Sequence, residues 1–436
     1  MLDESLALLR QGYAWLPDLT RSQGPGPVRT RLLGRPAVAL RGPEAVRFFY
    51  DEDHVRRRTA LPEPVLSTLF GKGAVHTLDG PEHRTRKELF VNLLKDRAAV
   101  QDLVEHVTVE WEHALGEWRG RPRVHLFDEF GLLLTRAVCT WAGAPLADQP
   151  ERDVRELARD LIAMVDGFAT AGPRHWRARR ARSRQEERLA ALVDELRRRA
   201  LTETPAPSSR TAPSSRTASP TPSPAPSSSF SSSHEVVRAV AAHRDADGAP
   251  LDARTAAVEI LNVLRPTAAI AWYAVFGAHA LHRHPELRAP LAQDRGGYAR
   301  AFAHEVRRFY PFAPFVAGLA PSRLEWHGEP IPEGAFVLLD LYGQNHDPQL
   351  WESPYVFDPE RFTGREPGRD ELVPQGGGEA ATGHRCPGED ITVAVLAALL
   401  PRLSRLSYDV PAQDLRIPLH RMPTRPRSGF VVAHVA

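Results

Sequence analysis

The sequence predicts one mainly α-helical domain with small β-sheets, and three observations carry that prediction. Apolar residues from Pro81 to about Ala200 recur mostly at helical spacing, as in Val91–Leu115 and Arg184–Leu201. The segment from Asp252 to about Arg283 is apolar nearly all round, as a helix buried in a large core must be. Strand signals are confined to short stretches, foremost Val28–Leu40. By length alone the 436 residues would suggest two or three domains, but one large α-rich domain accommodates them as well.

In chain order, two short strands flank Gly34-Arg35-Pro36, and a helix follows from about Pro43. The helical half that begins at Pro81 is broken near Gly120-Arg121-Pro122 and Gly172-Pro173. Residues 202–233 are almost entirely Ser, Pro, Thr and Ala, with the hexapeptide Ala206–Thr211 repeated at Ala212–Thr217. Such a composition buries too little apolar surface to offset its ordering entropy, so the stretch is expected to be a disordered insertion within the domain. Helical character resumes at His234, and Asp252 is a good N-cap for a segment running to about Arg283, roughly 45 Å at the rise of an α-helix. Pro266 must remove one helical hydrogen bond, free the carbonyl of Asn262 and kink the rod. Arg265, beside that kink in a buried helix, calls for a partner to its charge.

Composition excludes several function classes. Hydrophobic residues make up 42% and charged residues 25%, values of an ordinary folded protein. Basic and acidic residues nearly cancel, 56 against 54, which leaves no broad footprint for nucleic acid or anionic membranes. Lysine occurs only at Lys72, Lys87 and Lys95, a usage ascribed to coding bias toward arginine. The N-terminal residues lack the apolar core of a signal peptide. The longest apolar run, Ala268–Leu281, includes His279 and is shorter than the ~20 residues of a bilayer crossing, so no stable membrane insertion is expected. Two cysteines exclude a disulfide framework, no paired Cys/His spacing suits zinc, and the expected compartment is the cytoplasm. Cys139, in an apolar helical stretch, reads as core packing; Cys386 stands in a glycine-rich frame.

Three local signals fall in the C-terminal half: Glu305-Val306-Arg307-Arg308; Phe357-Asp358-Pro359-Glu360-Arg361-Phe362; and Gly376-Gly377-Gly378 followed by Gly383-His384-Arg385-Cys386-Pro387-Gly388. Together, in this order, they resemble cytochrome P-450. The resemblance implies that family's fold, with haem b bound and Cys386 as the axial thiolate ligand of its iron. It also implies an internal ion pair of Glu305 and Arg308 that, with Arg361, braces the haem-binding loop. A thiolate pushes electron density onto iron, provided backbone N–H groups approach the sulfur, and glycines allow that approach. Two departures stand out: common members carry Phe seven and Gly four residues before the Cys, where this chain has Glu379 and Thr382.

The long helix departs further, with Arg265-Pro266 in place of the acid and Thr that deliver protons to bound dioxygen in typical members. That pair, with LNVLRPT and the upstream FGKGAVHTLDG, resembles the bacterial fatty-acid peroxygenase branch. The branch implies hydrogen peroxide as co-substrate, no required redox partner, and oxidation of a fatty acid near its carboxylate by hydroxylation or decarboxylation. Arg265 could then bind the fatty-acid carboxylate bidentately, and that carboxylate could serve as the base the protein lacks; pairing with a structural carboxylate is the alternative. By the same resemblance Pro266, His76 and Phe70 belong to the catalytic pocket, with Phe70 and Val165 lining the substrate. His83, Arg86 and His384 are expected to meet the haem propionates, or else to form a solvated charged face. The rival readings are a P-450 monooxygenase fed by a redox partner and a haem-binding sensor or carrier without turnover.

Overall fold

The hairpin that opens the sheet follows from its turn. Leu33 and Gly34 both adopt positive φ, 51° and 77°, the geometry of a two-residue hairpin loop. It joins strands Val28–Leu32 and Arg35–Leu40 in antiparallel register, Val28 opposite Ala39. Strand Phe336–Asp340 pairs parallel to Arg35–Leu40, and Phe315–Leu319 closes the four-stranded sheet antiparallel to it. The period of two sorts its faces. Val38, Leu40, Val337 and Leu339 join Val46 and Phe49 of the Pro43–Phe49 helix in one core, while Ala37, Ala39, Phe336 and Leu338 meet Trp15 and Leu16 in another. The computed structural model describes residues 2–24, 26–144, 150–168, 170–203 and 236–436.

The main core is helical, as the apolar spacing requires. Helix Leu126–Trp141 packs on Arg97–Trp118, Ala253–Ala268 and Ile270–Arg283, with Glu151–Asp166 and Pro173–Glu203 alongside. Cys139 is fully buried among these helices, and burial pushes its thiol up to about 12, as expected of a packing residue. Asp252 caps the long segment, its carboxylate accepting from the N–H groups of Arg254 and Thr255. The rod pauses at Ala269, three residues after Pro266, and continues to Arg283. Among the described residues the stretch Ala253–Arg283 has the length and mean hydropathy to cross a bilayer, yet 94% of its apolar window is buried inside the protein. Thr202 and Glu203 complete a helix, which corrects the expected start of the insertion; residues 204–235 lie outside the described residues, and helix resumes at Val236.

Candidate active site

Arg265 sits on the inward side of the long helix with 4% of its surface exposed. Its guanidinium makes a hydrogen bond from Nη2 to Asn262 Oδ1 at 2.9 Å, while Nε is buried with no partner. Among the described residues no carboxylate lies within ion-pairing distance of it, so the structural-carboxylate alternative has no support. Burial and the neighbouring Arg182 press the guanidinium down to about 9, the signature of a buried cation that an incoming anion would relieve. Pro266, next in sequence, is exposed although its neighbours from Ala256 to Arg265 are buried.

Phe70 and His76 reach the same place from the segment between two helices. Their rings lie 4.4 Å apart, and the Arg265 guanidinium stands 5.7 Å from the Phe70 ring centre. His76 Nδ1 is buried without a hydrogen-bond partner. Burial, then Arg265, holds its imidazole well below the usual range, so it is neutral at physiological pH. The segment is held from behind: Arg182 donates to the carbonyls of Leu69 and Phe70 at 2.8 and 2.9 Å, and its own charge meets Glu186. Val165 is buried near the end of helix Glu151–Asp166, which packs against both the Arg265 helix and the Leu66–Phe70 turn.

Cys386 lies within electrostatic reach of Arg265. Burial pushes its thiol up, and the backbone N–H of Gly388, Lys87 and Arg307 counter that. The Cys386 N–H donates to Gln375 O at 3.3 Å, and Gln375 Nε2 approaches the sulfur at 3.8 Å. Gln375 is fixed in turn by Arg307 Nε at 3.1 Å and Thr392 Oγ1 at 3.1 Å. The glycine run serves close packing on another element: a Cβ at Gly376, Gly377 or Gly378 would stand 2.4, 2.3 or 2.9 Å from Tyr50 Oη, Val46 Cγ1 or Tyr50 Cβ. Where the family has Phe and Gly, Glu379 O accepts from Gly383 N–H at 3.0 Å, closing an additional turn.

The expected brace is present. Arg308 grips Glu305 through two bonds of 2.7 Å, both residues fully buried, and Arg361 Nε lies 3.7 Å from Glu305 Oε1. Arg308 also donates to the carbonyls of Asn345 and Pro354 at 2.9 and 2.8 Å, tying the helix to the segment ahead of the cysteine loop. Arg308→Ala is therefore expected to leave the Glu305 carboxylate buried with only the longer Arg361 contact and to cost about 3 kcal/mol, measured as the shift in urea unfolding.

Of the expected propionate donors, His83 and His384 stack at 3.8 Å, with His83 Nδ1 and His384 Nε2 buried without a hydrogen bond and each 3.8 Å from a carboxylate, of Glu52 and Asp79 respectively. Burial and nearby cations push His83 down to about 4 and His384 further, Lys87 acting on the first and Arg57 on the second. Arg86 is a correction. Its guanidinium is spent on Glu259 at 2.7 Å and on Asp245, away from the cysteine loop. The cation of that helix that reaches the loop is Lys87, 4% exposed, whose Nζ donates to Arg385 O at 2.5 Å. Arg57, buried over the Phe49 ring at 4.1 Å, completes the group. Sequence reasoning missed Arg57, Gln375 and Lys87. Only Lys87 carried a signal, as one of three lysines in a chain that otherwise uses arginine. The ligating atoms of Glu52, His83 and His384 lie within 4.8 Å of one another, a spacing that would also suit a cation. The surrounding Arg57 and Lys87 favour anionic groups instead.

A buried thiol reached by the Gly388 N–H, with Lys87 and Arg57 beside it, fits a haem: Cys386 would hold the iron, and Arg57, His83, Lys87 and His384 would be the donors available to its propionates. The comparisons agree. The family description Cytochrome P-450 matches residues 294–429. Cytochrome P-450 76C4 of Arabidopsis thaliana is 35% identical over 143 residues, 29% of this chain and 27% of that protein. Cytochrome P-450 4A10 of Mus musculus is 29% identical over 141 residues, 31% of this chain and 27% of that one. The chain thus matches about a quarter of the length of these curated relatives. Solved structures match throughout. A variant of cytochrome P450SP alpha (CYP152B1) is 37% identical with a TM-score of 0.89, covering 100% of this chain and 99% of that one. Cytochrome P450EX alpha (CYP152N1), solved with myristic acid, is 34% identical with a TM-score of 0.87 over 100% and 98%. Ligand-free cytochrome P-450 OleT is 33% identical with a TM-score of 0.88 over 100% and 97%.

Proposed function

The chain belongs to the cytochrome P-450 family, and from that premise we propose that it is a haem-thiolate peroxygenase that oxidises long-chain fatty acids near the carboxylate. The observation that carries this reading is Arg265, a buried cation with no carboxylate partner among the described residues and a free Nε, beside Phe70 and within electrostatic reach of Cys386. Bound haem supplies the iron that, with Cys386 as its thiolate ligand, carries out the oxidation at the expense of hydrogen peroxide.

The rest falls to the chain. A carboxylate entering the Arg265 site gains charge-assisted hydrogen bonds and relieves the buried cation. Held there, it can take a proton from hydrogen peroxide and return it, the work of the acid that Arg265 and Pro266 replace. Phe70 forms an apolar wall beside the carboxylate, and Val165 is proposed to line the path of the tail. Burying about ten methylenes contributes ~8 kcal/mol gross, against ~1.5–3 kcal/mol for the charged contact. The tail supplies affinity, and Arg265 supplies register. One solved relative holds myristic acid and another (R)-ibuprophen, both carboxylic acids.

Incubating the purified holoprotein with fatty acids and hydrogen peroxide alone tests the proposal, with products read by mass spectrometry. Products without any reductase support it. Products that need a reductase favour the monooxygenase, and spectral binding without product favours a sensor or carrier. The Arg265-Pro266 pair, in place of an acid and a Thr, favours the first outcome.

His76→Gln is expected to shift products several-fold from alkene toward hydroxy acid while leaving fatty-acid binding largely intact, because the anchor at Arg265 remains. In the unaltered enzyme the ratio should stay flat across the neutral pH range. A His held well below its usual pKa has already lost its proton there, so raising the pH changes nothing at this group. An unchanged ratio in the variant would place His76 outside the reacting group.

A further inference from the structure

Behind Arg265 lies a chain of buried polar groups whose order of donors and acceptors is fixed. Glu259, fully buried on the same helix, accepts from Val75 N–H at 2.8 Å and from Arg86 Nη1 at 2.7 Å through Oε1, and from Asn262 Nδ2 at 3.0 Å through Oε2. Asn262 Nδ2 also donates to Phe70 O at 3.2 Å. With acceptors on both sides of its NH2 group, the Asn262 amide has one satisfactory orientation, and that turns Oδ1 to Arg265 Nη2. The reverse orientation would set an NH2 against a guanidinium, donor against donor. Arg86, anchored by Asp245, pairs with Glu259 and counters the burial that pushes its carboxyl up, and Arg265 is left free of it.

The geometry points to Glu259 as a positioning residue that sets both sides of the carboxylate site: through Asn262 it aims Arg265, and through the Val75 N–H it holds the turn that carries His76. This rests on Arg265 being the carboxylate anchor. Glu259 spends its hydrogen bonds on Val75, Arg86 and Asn262, so its effect is transmitted by hydrogen-bond direction.

Glu259→Gln keeps the size of the side chain but turns one acceptor into a donor. With Oε1 still facing Val75 and Arg86, the new NH2 faces Asn262, whose amide must flip and present its own NH2 to Arg265. Myristic acid should then bind the holoenzyme about tenfold more weakly in spectral titrations, while imidazole, a neutral iron ligand, binds as before. Asn262→Leu, which removes the acceptor without a flip, should show the same acid-selective loss and decides the matter alone if Glu259→Gln fails to take up haem. Unchanged myristic-acid binding in the variants overturns the inference, and so does an equal loss for acid and imidazole, which marks a merely structural brace. Failure of the underlying reading looks different: Arg265→Ala would then bind myristic acid as the wild type does.

Discussion

Arg265→Ala is expected to lower peroxide-driven turnover of long-chain fatty acids by orders of magnitude while the haem spectrum remains that of a folded enzyme. The substitution removes a buried cation that has no carboxylate partner among the described residues, and with it the register of the substrate. A carboxylate held only by its tail wanders along the pocket, and effective molarities of positioned groups are large enough that loss of position dominates the rate. The same carboxylate is the proposed base, so its displacement costs proton transfer as well. Acetate should partly restore peroxide oxidation of a non-acidic substrate in the unaltered enzyme, by occupying the Arg265 site, and should do nothing in the variant. Normal fatty-acid turnover by the variant would end the substrate-assisted mechanism.

Cys386→Ala is expected to abolish the red-shifted Soret band of the reduced, carbon monoxide-bound protein and to remove turnover altogether. Cys139, the other cysteine, is sealed in the helical core with its thiol pushed up to about 12, and cannot substitute. The loop should survive the change, because its shape rests on Tyr50, Val46 and the Gln375–Arg307 contacts and not on the sulfur. Retention of the thiolate band in the variant would refute the assignment.

What the sequence made legible shares one property: the partners are close in the chain or fixed by spacing. Glu305 and Arg308 are one turn apart, the Cys386 frame is contiguous, and Arg265-Pro266 is a dipeptide inside a helix whose burial is evident from composition. Cooperation between Phe70, His76 and Arg265 became visible only through family resemblance, since nothing local links them. The groups that were missed depend on tertiary direction. Arg86 and Lys87 are adjacent, so their side chains leave the helix about 100° apart. Packing alone decides that Arg86 turns to Glu259 and Lys87 to the cysteine loop. Glu259 and Asn262 look in sequence like ordinary polar interruptions of an apolar helix. Their role exists only once Val75 and Phe70 are laid against them.

The packing of Gly376–Gly378 on Tyr50 and Val46, with Lys87 Nζ bound to a carbonyl 298 residues away, also sets when this enzyme can be assembled. During synthesis from the N-terminus, the helices that supply Tyr50, His83 and Lys87 emerge long before the loop that completes the haem pocket. Contacts of such sequence separation slow folding, because the chain must close a large loop before any contact repays it. Cofactor capture thus waits until the Cys386 loop has been made. A chain that stops short of that loop has Arg57, His83 and Lys87 but lacks His384, the Arg385 carbonyl that holds Lys87, and the thiol to ligate the iron.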